Sequence, residues 1–200
     1  ADVSIGVLLI FALGAIGIDA FLVGGWASDS KYSLLGSMRT AAQLVSYEVA
    51  LALSVLGVVI MAGSLSLVDI VGKQQETMWF ALPQLVGLLV FFVAGVAETN
   101  RPPFDLPEAE TELVAGYQTE YSGMRYGLFA MAEYVNMITL SGLAVTLFFG
   151  GWSGPVLPGP LWFVIPPILT TLIFTVVFGK IGQISTNGMP DFLFFMLGVT

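Results

Sequence analysis

The sequence predicts an all-α, polytopic transmembrane helix bundle, with five spans in this chain. Three observations predict it. Of 200 residues, 56% are hydrophobic and only 10% charged, against roughly 25% charged in soluble domains. The apolar runs are long enough for the ~20 residues that a helix needs to cross ~30 Å of hydrocarbon. They are also continuous rather than alternating, which selects helices over the strands of a closed barrel, the only other fold that satisfies its backbone in lipid.

Taken in order, the spans fall at about 3–27, 42–66, 79–97, 124–149 and 161–179, in one integral membrane domain covering 1–200. The N-terminus, ADVSIGVLLI, has no basic leader region, so it reads as the edge of a span in a partial chain and not as a signal peptide. The first connection, ASDSKYSLLGSMRT, is polar, as is SLVDIVGKQQETM after the second span. The fourth span ends in the turn-rich GGWSGPVLPGP, and the tail at 190–199 is too short to cross. Trp26, Trp79, Trp152 and Trp162 stand at span ends, where indoles favour the interface.

Alternating spans put Lys31, Arg39, Arg101, Arg125 and Lys180 on one side and leave only Lys73 on the other. That bias orients the polar stretches 28–41 and 98–123 to the cytoplasm or its organellar equivalent, and an inner (plasma) membrane is the expected location. A net charge of −8 argues against nucleic acid. The absence of Cys and His excludes thiolate or imidazole metal sites, disulfides and His-dependent hydrolysis, so no metal or redox centre is expected through those ligands.

Residues 98–123 hold Glu98, Asp105, Glu108, Glu110, Glu112 and Glu120, six of fourteen acids. Within them, DLPEAETELVAGYQ has the pattern of a short helix lying on the membrane. Asp105 and Glu108 have capping-box spacing, and Pro107 falls in the first turn. Leu106, Ala109, Leu113 and Tyr117 share one face, Asp105, Glu108 and Glu112 lie opposite, and Glu110 projects among the apolar residues. Capping and the helix dipole are one sufficient account of Asp105 and Glu108. Glu110 and Glu112 are harder to assign to a merely solvated face.

Asp19, Glu48 and Glu133 fall inside spans. A carboxylate at the bilayer centre costs roughly 2.5–3.5 kcal/mol on insertion scales, so each needs a partner, a water cavity or a proton. At ~1.5 Å per residue all three lie roughly 9–14 Å from the face that bears the acidic loop. Such a set suggests a buried polar path, with Tyr47 and Asn136 as hydrogen-bonding extensions. The competing reading pairs each acid structurally with Lys31, Arg39 or Arg125.

The segments AETNRPPFDLPEAETELVAGYQTEYSGMRYGLF and GWASDSKYSLLGSMRTAAQLVSYEVAL closely resemble the NuoH family, the quinone-site membrane subunits of respiratory complex I, over about residues 1–178. Membrane subunits of energy-converting hydrogenases are related to it. The resemblance implies an eight-helix protein whose cytoplasmic loops help enclose a quinone chamber, ubiquinone or menaquinone being the substrate. It implies partners among the iron–sulphur and quinone-site subunits of the peripheral arm and the small membrane subunits, with lipid around them. Carried over by position, Asp105, Glu108, Glu110, Glu112, Glu120, Glu48 and Glu133 match coupling acids, whereas Asp19 matches none and rests on its place in a span. Lys31, Arg39, Arg101 and Arg125 match positions flanking the chamber, where Tyr47 and Phe104 are also placed. The resemblance implies a non-redox subunit of a proton-translocating NADH:quinone oxidoreductase. The family's N-terminal helix and first basic loop have no counterpart here, and the tail 179–200 does not align. A related hydrogenase or ferredoxin-dependent complex, a stand-alone ion transporter and a structural anchor are the competing readings, of which the transporter lacks an inverted repeat.

Overall fold

A computed structural model describes residues 3–100, Phe104 and 116–153. The regular secondary structure of the described part is entirely helical. Helix α1 runs Gly6–Ala27, α2 Lys31–Ala62, α3 Leu67–Glu76, α4 Leu85–Glu98 and α5 Met124–Phe148, with a 3₁₀ turn at Gly116–Gln118 before α5. Three of them, α1, α2 and α5, are long and apolar enough to cross a membrane, and α4 is a shorter apolar helix. Large apolar side chains such as Leu13, Ile16, Ile60, Val86, Leu89 and Ile138 point outward, as a lipid-facing surface requires. The chain is a multi-pass membrane protein.

Boundaries depart from the sequence reading in physically instructive ways. α2 has 32 residues, about 48 Å at ~1.5 Å per residue, so it overruns the hydrocarbon core. The stretch expected as a polar loop at 28–41 is therefore mostly its first turns. α2 stops at Gly63, whose φ of 71° is the left-handed conformation glycine adopts freely, and whose N–H caps back to the Val59 carbonyl. The second expected loop contains α3, started by Ser66, whose hydroxyl accepts from the Asp69 N–H, with Asp69 itself in the first turn. The third span begins later than 79, because 80–84 forms turns before α4. The fourth agrees closely with α5. The expected interfacial helix mostly lies outside the described residues. Its end does not continue as α-helix, since Gly116 has φ of 55° and Tyr117 sits fully buried in the 3₁₀ turn. The fifth span and the tail lie outside the described residues.

Two apolar clusters bracket the bundle. At the end bearing α3, Val7, Leu51, Val55, Val58, Ile70, Phe80, Phe91, Leu147 and Phe148 form the main core. Toward the other end a smaller cluster of Ile18, Ala41 and Leu44 joins α1 to α2, with Phe21 and Leu22 packed on it. The polar site lies beside this smaller cluster.

Candidate functional site: a cavity walled by carboxylates

A cavity of about 470 Å³ opens among α1, α2, α4 and α5. Its apolar wall comes chiefly from α1 (Ile10, Phe11, Leu13, Phe21) and α5 (Phe129, Val135, Leu140). Against that wall stand three carboxylates from three helices: Glu48 of α2, Glu98 at the end of α4 and Glu133 of α5, with Asn100, Asn136 and Thr139. Each is partly buried. Glu48 is near enough to Glu98 for like charges to repel. Among the described residues, no three acidic or other metal-ligating side chains are close enough together to hold a metal ion. The carboxylates share a wall without converging on a point, an arrangement that suits water and protons passing along a surface.

Behind the cavity's polar end stands Gln43, bonded to the lining residue Asn100. The Gln43 amide nitrogen lies within hydrogen-bond reach of the Ala97 carbonyl at 2.8 Å, the Phe104 carbonyl at 2.9 Å and Asn100 Oδ1 at 3.1 Å. These contacts fasten the C-terminal end of α4 and the start of the acidic stretch to α2. Tyr47 closes over Phe104, ring centroids 5.2 Å apart and edge-on. Among the described residues, Gln43 Oε1 and Glu98 Oε2 are buried oxygens without a hydrogen-bond partner. Both are acceptors, so a donor such as water or a carboxylic proton suits the place.

Glu133 has a different neighbour. The Tyr117 hydroxyl donates to Glu133 Oε1 at 2.6 Å, and the Gln118 amide donates to that same hydroxyl oxygen at 2.8 Å. The ring of Tyr117 is enclosed by Phe21 and Phe129 at 5.0 and 5.5 Å. Nearby, the Tyr121 hydroxyl donates to the Gly24 carbonyl at 2.6 Å, joining the segment before α5 to α1.

Of the residues singled out from the sequence, Glu48 and Glu133 meet at the cavity. Tyr47 and Phe104 meet each other beside it. Asp19 does not join them: it is exposed, although Ile18 and Ala20 on either side line the cavity. A single helical step of about 100° suffices to turn it away. Glu120, Lys31, Arg39 and Arg125 are exposed outside the cavity lining, and Lys31 lies over the Tyr32 ring at 5.4 Å. Arg101, Asp105, Glu108, Glu110 and Glu112 lie outside the described residues. Sequence reasoning grouped Glu98 with the loop acids because it follows the span read as 79–97. It passed over Gln43 and did not set Tyr117 beside Glu133. A polar residue among apolar ones inside a span was the available signal for Gln43.

Comparison with known proteins gives a consistent result. The family profile described as NADH dehydrogenase matches residues 1–199. The chain is 46% identical over 184 residues to the H subunit of the NADH-quinone oxidoreductase of Pelagibacter ubique, covering 88% of this chain and 55% of that protein. It is 52% identical over 184 residues to an H subunit of the NADH-quinone oxidoreductase of Syntrophobacter fumaroxidans, covering 92% of this chain and 55% of the relative. The chain thus spans about half the length of these curated relatives.

Proposed function

The chain belongs to the NADH dehydrogenase family, and from that premise we propose that it acts as a membrane subunit of a proton-translocating NADH:quinone oxidoreductase. In this reading the chain contributes no redox centre. It helps form the quinone chamber and couples quinone reduction, carried out with its partner subunits, to proton transfer along buried acids. Quinone is the substrate, and the partners are the peripheral iron–sulphur subunits and neighbouring membrane subunits. The polar segments 28–41 and 98–123 face the cytoplasmic side.

The observation that supports this reading is the shared cavity wall of Glu48, Glu98 and Glu133. Three carboxylates around one cavity offer a row of proton-accepting oxygens beside space for water, which is what a proton route needs. Glu98 joins the proposed path from geometry, alongside Glu48 and Glu133. Relatives named as subunits of one oxidoreductase favour this reading over a stand-alone transporter.

The test uses the whole complex in proteoliposomes with Glu48→Gln, Glu98→Gln and Glu133→Gln in turn. Each is expected to lower quinone-dependent proton translocation while NADH oxidation by a water-soluble acceptor continues at the normal rate. An unchanged proton-to-electron ratio in all three would refute the coupling role.

A further inference from the structure

We propose that Tyr117 is a positioning residue for Glu133, a buried phenol that makes the state of that carboxylate depend on how the 3₁₀ turn docks on α2. The inference deepens the reading of Glu133 as a coupling acid and rests on it for its functional consequence. Its geometric content stands separately.

The phenol's hydrogen-bond polarity is fixed by its neighbours. Tyr117 is fully buried, and a buried tyrosine hydroxyl needs partners. Gln118 Nε2 can only donate, so the phenol oxygen accepts from it and the phenol proton points to Glu133 Oε1. Donation into the phenol oxygen polarises its O–H bond and strengthens the bond to Glu133. Phe21 and Phe129 fix the plane of the ring by edge contacts.

The turn's backbone is held against α2. Ser33 Oγ donates to the Tyr117 carbonyl at 2.9 Å. Gly36 lies directly against the turn: a Cβ there would stand 2.6 Å from both the Gly116 carbonyl carbon and the Tyr117 nitrogen. Only a residue without a side chain allows that approach. Glu133 is thus held by a group whose backbone rests on another helix, at the end of the acidic segment 98–123. Hydrogen bonds weaken steeply with distance and angle. A modest shift of the turn therefore releases the Glu133 oxygen to the cavity, and docking re-engages it. The phenol reports the position of the 3₁₀ turn to an acid in the cavity wall.

The test compares variants of the assembled complex in proteoliposomes. Tyr117→Phe keeps the ring and its packing, so the complex is expected to assemble, with a melting temperature lowered only by the loss of the hydroxyl's two bonds. Quinone-coupled proton uptake is expected to fall about tenfold, the equilibrium equivalent of one buried hydrogen bond. Infrared difference spectra supply a readout that a packing role does not move. The carboxyl C=O band of Glu133, assigned as the band lost in Glu133→Gln, is expected at higher wavenumber in Tyr117→Phe because the carbonyl loses a donor. Gln118→Leu should move the same band in the same direction by less. Gly36→Ala should reproduce the loss of coupling with Tyr117 chemically intact. An unshifted band in both Tyr117→Phe and Gln118→Leu overturns the contact. A shifted band with normal coupling in Tyr117→Phe overturns its functional consequence. Full coupling in Glu133→Gln instead refutes the role of Glu133, while the band position still decides the contact.

Discussion

Two glutamines buried at opposite ends of the bundle do different work. Gln74, on α3, has its nitrogen on the Thr146 carbonyl at 2.9 Å, while its oxygen accepts from the Gly150 N–H at 3.0 Å and the Phe80 N–H at 3.4 Å. Both ends of that amide are satisfied, and it joins α3, the turn before α4 and the end of α5 beneath the main apolar core. Gln43, on α2, spends its nitrogen on three oxygens but leaves Oε1 without a partner among the described residues, beside a cavity lined by acids. The first amide closes a structure. The second leaves a buried acceptor without a partner among the described residues, next to Asn100 of the cavity lining. The contrast separates a locked end of the molecule from a working one.

The largest expected effect comes from attacking the locked end. Gln74→Leu leaves two N–H groups and a carbonyl without their side-chain partner, each worth about 1–3 kcal/mol when buried. The melting temperature of the purified protein in detergent should fall by several degrees or more, or the protein should be cleaved rapidly by protease. Gln43→Leu is expected to cost less, about 1–2 kcal/mol, because the variant also removes a buried oxygen that had no partner. Its main effect should be on quinone-coupled turnover. If Gln43→Leu proves as destabilising as Gln74→Leu and leaves coupling intact, the distinction between the two ends collapses.

How much of this was readable in advance differs between the same two ends. The helical class, the helix at the fourth span and the presence of Glu48 and Glu133 within apolar helices follow from composition and from the cost of charge in lipid, which are local properties of the sequence. α3 was not readable as a helix, because its pattern is polar and its stability comes from a Ser66 cap and from Ile70 and Val71 buried in the core. Glu98 was misgrouped because a one-residue uncertainty at a span end moves an acid from a helix to a loop. Tyr117 read as one apolar position on a surface helix, since periodicity carries no information about a partner sixteen residues later in sequence. Gly36 and Ser33 make sense only once the 3₁₀ turn rests on them.

A smaller effect tests the locked end at its margin. Ser66→Ala removes the hydroxyl that caps α3, and caps of this type are worth about 0.5–2 kcal/mol. The Ser66–Asp69 bond is long, at 3.4 Å, and Ser64 also donates to Asp69 at 2.7 Å, so the lower part of that range is expected. Amide exchange at Asp69 and Ile70 should accelerate without a change in coupling. A coupling defect in Ser66→Ala would mean that the α3 end communicates with the cavity.

The smallest effect is expected at Asp19, and it bears most directly on why depth alone does not make a path. Asp19 stands about as many residues from the end of α1 as Glu133 does from the start of α5, so an insertion scale treats the two alike. Position around the helix separates them: Ile18 and Ala20 line the cavity and Asp19 does not. A proton needs a continuous run of water or hydrogen-bonding groups, and an exposed carboxylate on the far side of α1 is not in one. Asp19→Asn should therefore leave the proton-to-electron ratio at the parent value under conditions in which Glu133→Gln lowers it. Equal losses in the two variants would show that the acids act through their summed charge in the membrane, and the cavity wall would lose its claim to be the route.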